Sequence, residues 1–364
     1  MSTRCISVAS VPFEAARYVD ILPDGHRSKR IHGHSFKARA WATLPDGWAD
    51  FPGDESTALR RRLESCIVPL DYSLLNDHLE IPTDENLARW IRQCLQVPGI
   101  ETISIQSTSD QGVDLDNEGR AHIWRRFRFE AAHQLPNVPE DHKCGRMHGH
   151  GFDVVLHANQ EIDNLDMGVD FDYLSACWEP LRAELNYACL NDIRGLENPT
   201  SEILAAWIWD RIHPNLPQFS SVTVYETATA GCHYRPGEFR IWKEQSFEAA
   251  VRLKRAPRED CRHTLHGHSY ITQLHLTASL DDVLGWTVDY GDVKELFKPV
   301  YQQLDHHQLD ELNSLDSPDC RSLLYWMRDR VRGVLPQLNR LDLYETPGCG
   351  GVLLWGNSHA SPTY

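Results

Sequence analysis

The chain has 364 residues, 41% of them apolar, with 36 Lys and Arg against 52 Asp and Glu and a formal net charge of −16. That length exceeds what one ordinary core serves and suits two or three domains. The acidic balance excludes the basic footprint of a nucleic-acid-binding surface. No stretch approaches the roughly 18–20 consecutive apolar residues of a membrane span. The opening MSTRCISVASVPFEAA lacks a charged segment followed by an apolar one. The expectation is a cytoplasmic protein with neither nucleic acid nor membrane as partner. Ten cysteines lie scattered, without a tight CxxC pair, which reads as free thiols rather than a disulfide scaffold.

Internal repetition organises the chain. Phe-Glu-Ala-Ala begins at Phe13, Phe129 and Phe247, and His-Gly-His begins at His32, His148 and His266, 19 residues later each time. Later landmarks keep step: Leu70-Asp71, Leu185-Asn186 and Leu304-Asp305; then Pro82, Pro199 and Pro318; then Gln106, Glu226 and Glu345. The domains are therefore 1–120, 121–240 and 241–364, a period too long for a solenoid unit.

In the middle repeat, 124–133 and 147–158 alternate and are rich in aromatic and β-branched residues, which predicts two strands. Residues 170–189 predict a helix capped by Asp170 or Asp172, with Pro180 bending or interrupting it. A second helix runs from Asn198-Pro199-Thr200 to about His213, with Asn198 or Thr200 as N-cap. Strands follow over 221–227 and 232–240. Each repeat thus reads ββααββ, an α+β unit with an antiparallel sheet and helices on one face. Its two sheet edges must be paired or covered, and three repeats could pair edge to edge into a barrel.

His148 and His150 share one face of a strand, Gly149 leaves room on the other, and His133 ends the neighbouring strand. Three imidazoles can then meet one ion and leave a fourth position open, the arrangement of catalytic zinc. Arg17 and Val251 replace His133 in the other repeats, so one Zn2+ per chain is expected. Cys144, four residues before His148 and close to Arg146, is expected to be a thiol of lowered pKa acting as base or nucleophile. Repeat three offers Cys261 one residue out of register. Asp305-His306 forms an acid–imidazole pair whose counterparts are Asp71-Tyr72 and Asn186-Tyr187. Repeat two lacks that histidine and repeat three lacks the third metal ligand, which suggests one composite site. Glu226-Thr227 and Glu345-Thr346 end strands, where a buried carboxylate can accept two parallel N–H bonds from a guanidine-like heterocycle edge. Lys143, Arg146 and Arg128 are the basic candidates for a phosphate tail.

FEAAH, CGRMHGH, GLENPTSE and VYETATAG of repeat two resemble 6-carboxytetrahydropterin synthase, a relative of 6-pyruvoyltetrahydropterin synthase, and LDHHQL of repeat three resembles the family's aspartate–histidine segment. The match spans 124–240 and is looser over the other repeats, which keep the spacing and lose ligands. The resemblance implies the tunnelling fold, with one chain forming a pseudo-trimeric antiparallel β-barrel, helices outside, and two chains forming a homodimer. It implies a zinc-dependent lyase acting on 7,8-dihydroneopterin triphosphate, on the route to queuosine. By position, His133, His148 and His150 would hold zinc, Cys144 would take a proton, Asp305 and His306 would be the acid–base pair, and Glu226, with Thr227, would anchor the pterin. Glu345 would do so if a second pocket survives. The same residues leave 6-pyruvoyltetrahydropterin synthase activity, or pterin binding without catalysis, as alternatives.

Overall fold

The computed structural model describes residues 3–160 and 166–356. Repeat one contains β1 (Arg4–Arg17), β2 (His32–Ala42), α1 (Glu55–Ile67), the two-residue β3 (Ser73–Leu74), α2 (Asp84–Leu95), β4 (Ile100–Thr108) and β5 (Gln111–Asp116). Repeat two contains β6 (Ala121–His133), β7 (His148–Asn159), α3 (Phe171–Leu185), α4 (Ser201–Ile212), β8 (Phe219–Thr227) and β9 (Ala230–Arg235). Repeat three contains β10 (Glu238–Val251), β11 (His266–Ala278), α5 (Tyr290–Leu304), α6 (Cys320–Val331), β12 (Leu338–Thr346) and β13 (Cys349–Leu354). The chain is α+β, three tandem ββααββ repeats.

Strand patterning explains where the core sits. Along β1 the buried positions Val11, Phe13, Ala15 and Arg17 alternate with the exposed Pro12 and Glu14, so one face of the pleat is turned from water. The buried aromatic of each first strand stacks on its partner across the hairpin. Phe13 lies 5.0 Å from Phe36, Phe129 lies 5.1 Å from Phe152, and Phe247 lies 5.0 Å from Tyr270, ring centre to ring centre. Each stack adds about 0.5–1.5 kcal/mol beyond burial and sits one turn of the pleat below the His-Gly-His segment.

Contacts divide the chain into two compact units. Unit 1 comprises Met1–Ala121, Glu244–Leu274 and Lys294–Tyr364, and unit 2 comprises His122–Lys243 and His275–Val293. In unit 1, β1 pairs antiparallel with β2, which continues through β4 to β5, and on its other edge with β13, which pairs with β12. Among the described residues, the first and last strands therefore cover each other's edges, as an edge-to-edge arrangement of repeats requires. In unit 2, the antiparallel order is β6-β7-β8-β9-β10. Helices cover the strands on one face: α1 packs on β1, and α4 packs on β8 and β9.

Two expectations need correction. The helix expected over 170–189 is α3, which ends at Leu185 and passes through Pro180 unbroken. Pro180 is exposed, so the carbonyl that loses its helical donor faces water. Asp170 is the N-cap, its side chain accepting the Asp172 amide. The strand expected over 232–240 is two strands joined at Gly237, whose φ of 83° makes the hairpin turn; the second of them, β10, continues into repeat three without a break.

After the first helix of each repeat the chain turns through a left-handed residue: Tyr72, Tyr187 and His306, with φ of 53°, 60° and 57°. Each donates its amide to a first-strand carbonyl, of Glu14, Glu130 and Glu248, at 2.6 Å. That bond holds a conformation costing a side-chain-bearing residue about 1–2 kcal/mol. Tyr187→Gly should therefore leave the melting temperature unchanged or raised, whereas Tyr187→Val should lower it, as differential scanning calorimetry will show.

Candidate metal centre

The β6–β7 register sets His133 directly opposite His148 and Ala131 opposite His150. A cross-strand pair and the next same-face position thereby converge. The approach is close at Gly149, where a Cβ would stand 3.0 Å from the Ala131 carbonyl oxygen. The potential ligand atoms of His133, His148 and His150 all lie within 4.8 Å of one another. His133 is 1% exposed.

Hydrogen bonds orient the rings. The Nδ1 of His133 faces the Pro199 carbonyl at 3.3 Å, that of His148 the Arg146 carbonyl at 2.8 Å, and that of His150 the Gly151 carbonyl at 3.2 Å. A carbonyl can only accept, so each Nδ1 carries the hydrogen and each Nε2 a lone pair. The Nε2 atoms of His133 and His150 are nonetheless 3.2 Å apart. Two lone pairs at that distance repel unless a cation lies between them. The separation matches the edge of a tetrahedron about 3.3 Å long that nitrogen ligands form around zinc. The residues fit a divalent ion held by three imidazoles. Burial, then the neighbouring imidazoles, lowers the His133 pKa to about 4 and also lowers that of His150, where burial is the main cause. Both are thus neutral, as ligands must be.

Cys144 stands on the short 3-10 turn Lys143–Gly145, whose N-cap is His142. Burial and then the Glu226 carboxylate push its thiol above the ordinary value, with Lys143 opposing them. The expected lowering by Arg146 is not found: Arg146 is exposed, and the cation that acts on the thiol is Lys143. Arg128, another phosphate candidate, is engaged by Glu130 at 3.0 Å and Asp153 at 3.6 Å.

Glu226 is the penultimate residue of β8, with its pKa raised to about 7 by burial, then by Glu202 and Asp289. Thr227 beside it is exposed, its hydroxyl accepting the Thr229 amide in the hairpin turn. The surrounding groups escaped the sequence reading. A strap from repeat three, 281–290, lies in unit 2 with repeat two. The Val283 carbonyl accepts from Asn137 and the Leu284 carbonyl from Asn198, each at 2.7 Å. The Thr287 amide and hydroxyl donate to Glu202 Oε1 at 2.8 and 3.1 Å, and Tyr290 meets Ser201 at 2.8 Å. Asp289 Oδ2 reaches His142 Nε2 at 3.3 Å. The only sequence signal was NPTSE, which reads first as a helix cap.

The other two sites have changed differently. In repeat one Arg17 donates to Asp84 at 2.6 Å and to the Pro82 carbonyl at 3.0 Å, and stands 3.4 Å from His34 Nε2. Its guanidinium takes the place of a bound cation. In repeat three Val251 packs with Phe51, Leu253 and Ala256. The turn residue matching Cys144 is Ser28 in repeat one and Arg262 in repeat three, and Cys261 falls one position earlier and is exposed. All ten cysteines are free.

Asp305 and His306 lie in unit 1. Asp305 accepts the Glu248 amide at 3.1 Å and meets His306 Nδ1 at 3.0 Å, and the His306 side chain is 78% exposed. Asp71 and Asn186 accept the matching amides of Glu14 and Glu130 at 2.9 and 3.0 Å. The Asp/Asn position therefore has a structural duty in every repeat.

The family model of 6-pyruvoyl tetrahydropterin synthase matches residues 6–115, 122–237 and 240–353. The chain belongs to that family, as three tandem copies. A 6-carboxy-5,6,7,8-tetrahydropterin synthase of Synechocystis sp. is 41% identical over 119 residues, covering 31% of this chain and 91% of the relative. A dihydroneopterin monophosphate aldolase of Pyrococcus furiosus is 29% identical over 119 residues, covering 32% of this chain and 97% of the relative. Among solved structures, the Caenorhabditis elegans 6-pyruvoyl tetrahydropterin synthase superposes with a TM-score of 0.30 at 20% identity, covering 33% of this chain and 96% of that one. No helix among the described residues is long and apolar enough to cross a membrane.

Two measurements check this centre. Native mass spectrometry should find one metal ion per chain, lost in His133→Ala, because Arg17 and Val251 stand where the third ligand would be. Glu226 binds its proton more tightly folded, with a pKa of about 7, than unfolded, at 4.5. Folding stability should therefore fall as pH rises between these values, by up to about 3 kcal/mol. Glu226→Gln should raise the melting temperature at pH 8 and not at pH 4.

Proposed function

We propose that this chain is a zinc-dependent lyase of the 6-carboxytetrahydropterin synthase type acting on 7,8-dihydroneopterin triphosphate. The observation that carries the reading is the gathering of His133, His148 and His150, with potential ligand atoms within 4.8 Å of one another, in the one repeat that also keeps Cys144 and Glu226. The likeness of that repeat to a 6-carboxy-5,6,7,8-tetrahydropterin synthase supports it. When bound by His133, His148 and His150, zinc supplies Lewis acidity that polarises the hydroxyls of the substrate side chain.

The chain's own groups do the rest. Ionised Glu226 accepts two parallel N–H bonds from the amidine edge of the pterin ring and fixes its orientation. Cys144 takes the proton from the side chain. The two are linked, because after burial it is the negative charge of Glu226 that raises the Cys144 pKa. Once the ring's N–H groups are bonded to that charge, its hold on the thiol weakens, and the thiolate forms most readily with substrate in place. Asp305 orients His306 as the acid–base partner. Thr227 contributes at most a rim contact. A cytoplasmic homodimer completes the reading.

The test is incubation of the zinc-loaded protein with 7,8-dihydroneopterin triphosphate and identification of products by mass. The expected product is 6-carboxytetrahydropterin, formed with loss of triphosphate and two side-chain carbons; a product keeping all three side-chain carbons would refute the assignment. Cys144→Ala should lower kcat by roughly 10²–10⁴ while retaining one metal ion per chain. His306→Ala should also lower kcat, and full activity in that variant removes His306 from the mechanism.

A further inference from the structure

Each repeat builds the same short turn ahead of its His-Gly-His strand and caps it with the side chain that precedes the turn. His26 Nδ1 accepts the Ser28 amide at 3.1 Å, His142 Nδ1 the Cys144 amide at 3.2 Å, and Asp260 Oδ1 the Arg262 amide at 2.9 Å. In repeat two the amide held in this way belongs to the thiol residue itself, so the cap sets where the sulfur stands. A carboxylate can always accept. A neutral imidazole accepts through Nδ1 only as the tautomer that carries its hydrogen on Nε2. With the hydrogen on Nδ1, two N–H groups would face each other and the turn would lose its cap.

Repeat three supplies a group that selects the tautomer. Asp289 Oδ2 stands 3.3 Å from His142 Nε2, and neither side chain is more than 23% exposed. A carboxylate oxygen facing Nε2 attracts a hydrogen there and leaves Nδ1 bare. Asp289 is itself aimed. Its Oδ1 accepts the Gly291 amide at 2.6 Å and the Asp292 amide at 3.2 Å at the start of α5, which leaves Oδ2 to the ring. Trp286 of the same strap lies 5.7 Å from the His142 ring, centre to centre. Nor does the carboxylate activate the sulfur. Behind burial and Glu226, its charge raises the Cys144 pKa, so what it gives the thiol is place rather than acidity.

We propose that Asp289 is a positioning residue for Cys144, acting through His142: it holds that imidazole in the tautomer that caps the Cys144 turn. A carboxylate of one repeat thereby fixes a thiol of another, through a ring and one backbone amide. Its effect on turnover rests on the reading of Cys144 as the group that takes the substrate's proton, whereas the tautomer and the cap are observable without turnover.

Asp289→Asn is the test, because the Gly291 and Asp292 amides hold the side-chain oxygen and turn the new N–H group toward His142. At pH 8 the nitrogen NMR signals of His142, identified by their loss in His142→Asn, should place the hydrogen on Nε2 in the unaltered protein and on Nδ1 in Asp289→Asn. The Cys144 amide should then exchange with solvent about tenfold faster. With 7,8-dihydroneopterin triphosphate, kcat should fall roughly 10–100-fold while KM stays within about threefold. Removal of a charge alone would instead ease thiolate formation and raise kcat. His142→Asn keeps a cap that has no tautomer to choose, since an amide oxygen accepts as the short Asp260 side chain does. That variant should keep kcat within about threefold, and adding Asp289→Asn to it should cost less than about twofold. Hydrogen remaining on Nε2 in Asp289→Asn, full kcat in that variant, or an equal loss in the His142→Asn background overturns the proposal. An unaltered protein that turns over no substrate refutes the lyase reading, and the tautomer and exchange results then decide the role of Asp289 by themselves.

Discussion

Three imidazoles gathered on one hairpin, their potential ligand atoms within 4.8 Å of one another, are the constraint around which repeat two is built. Each ring is fixed by its own Nδ1 hydrogen, donated to a backbone carbonyl. One of those carbonyls belongs to Pro199, at the entry to α4. The histidine cluster is therefore tied to the helix layer as well as to the hairpin, and the Asn-Pro-Thr-Ser-Glu segment serves both as helix cap and as ring support. Without a cation the arrangement stores repulsion. With one, the repulsion becomes coordination.

The three repeats show how that same demand is met or abandoned. Repeat one answers it with a covalently attached cation, the Arg17 guanidinium, which finds its counter-charge in Asp84. Repeat three removes the demand by substituting a valine and repacking around it. Both solutions keep the stacked aromatic pair beneath the site, since hairpin packing does not depend on chemistry above it. Repeat two also draws on a strap of repeat three, so the loss of ligands in that repeat does not make its polypeptide dispensable.

The gathering of the three histidines was legible because a strand's period of two makes His-Gly-His a same-face pair, and a hairpin brings the third ring alongside. The repeat and the ββααββ order were legible from fixed motif spacing. What escaped depended on long-range contact. Nothing in the local pattern around Arg17 reveals Asp84, and nothing around Thr287 or Asp289 reveals Glu202 or His142. The part of the thiol expectation that rested on Arg146 was misplaced for a related reason. Sequence neighbours do not tell which side chains turn toward the sulfur, and Glu226 outweighs the cations close in sequence. Pro180 misled because its effect depends on which helix face it occupies, and on a wet face the missing donor is replaced by water.

The residue that accepts the first-strand amide is Asp71, Asn186 or Asp305, and any side-chain oxygen meets that need. The architecture therefore imposes no charge there and places no requirement on the ring that follows, which is exposed in all three repeats. A tandem chain built this way can let its copies diverge: each keeps the acceptor that holds its backbone turn, while the left-handed residue beside it is tyrosine in two copies and histidine in the third. Duplication thus separates the upkeep of the fold from the upkeep of catalysis.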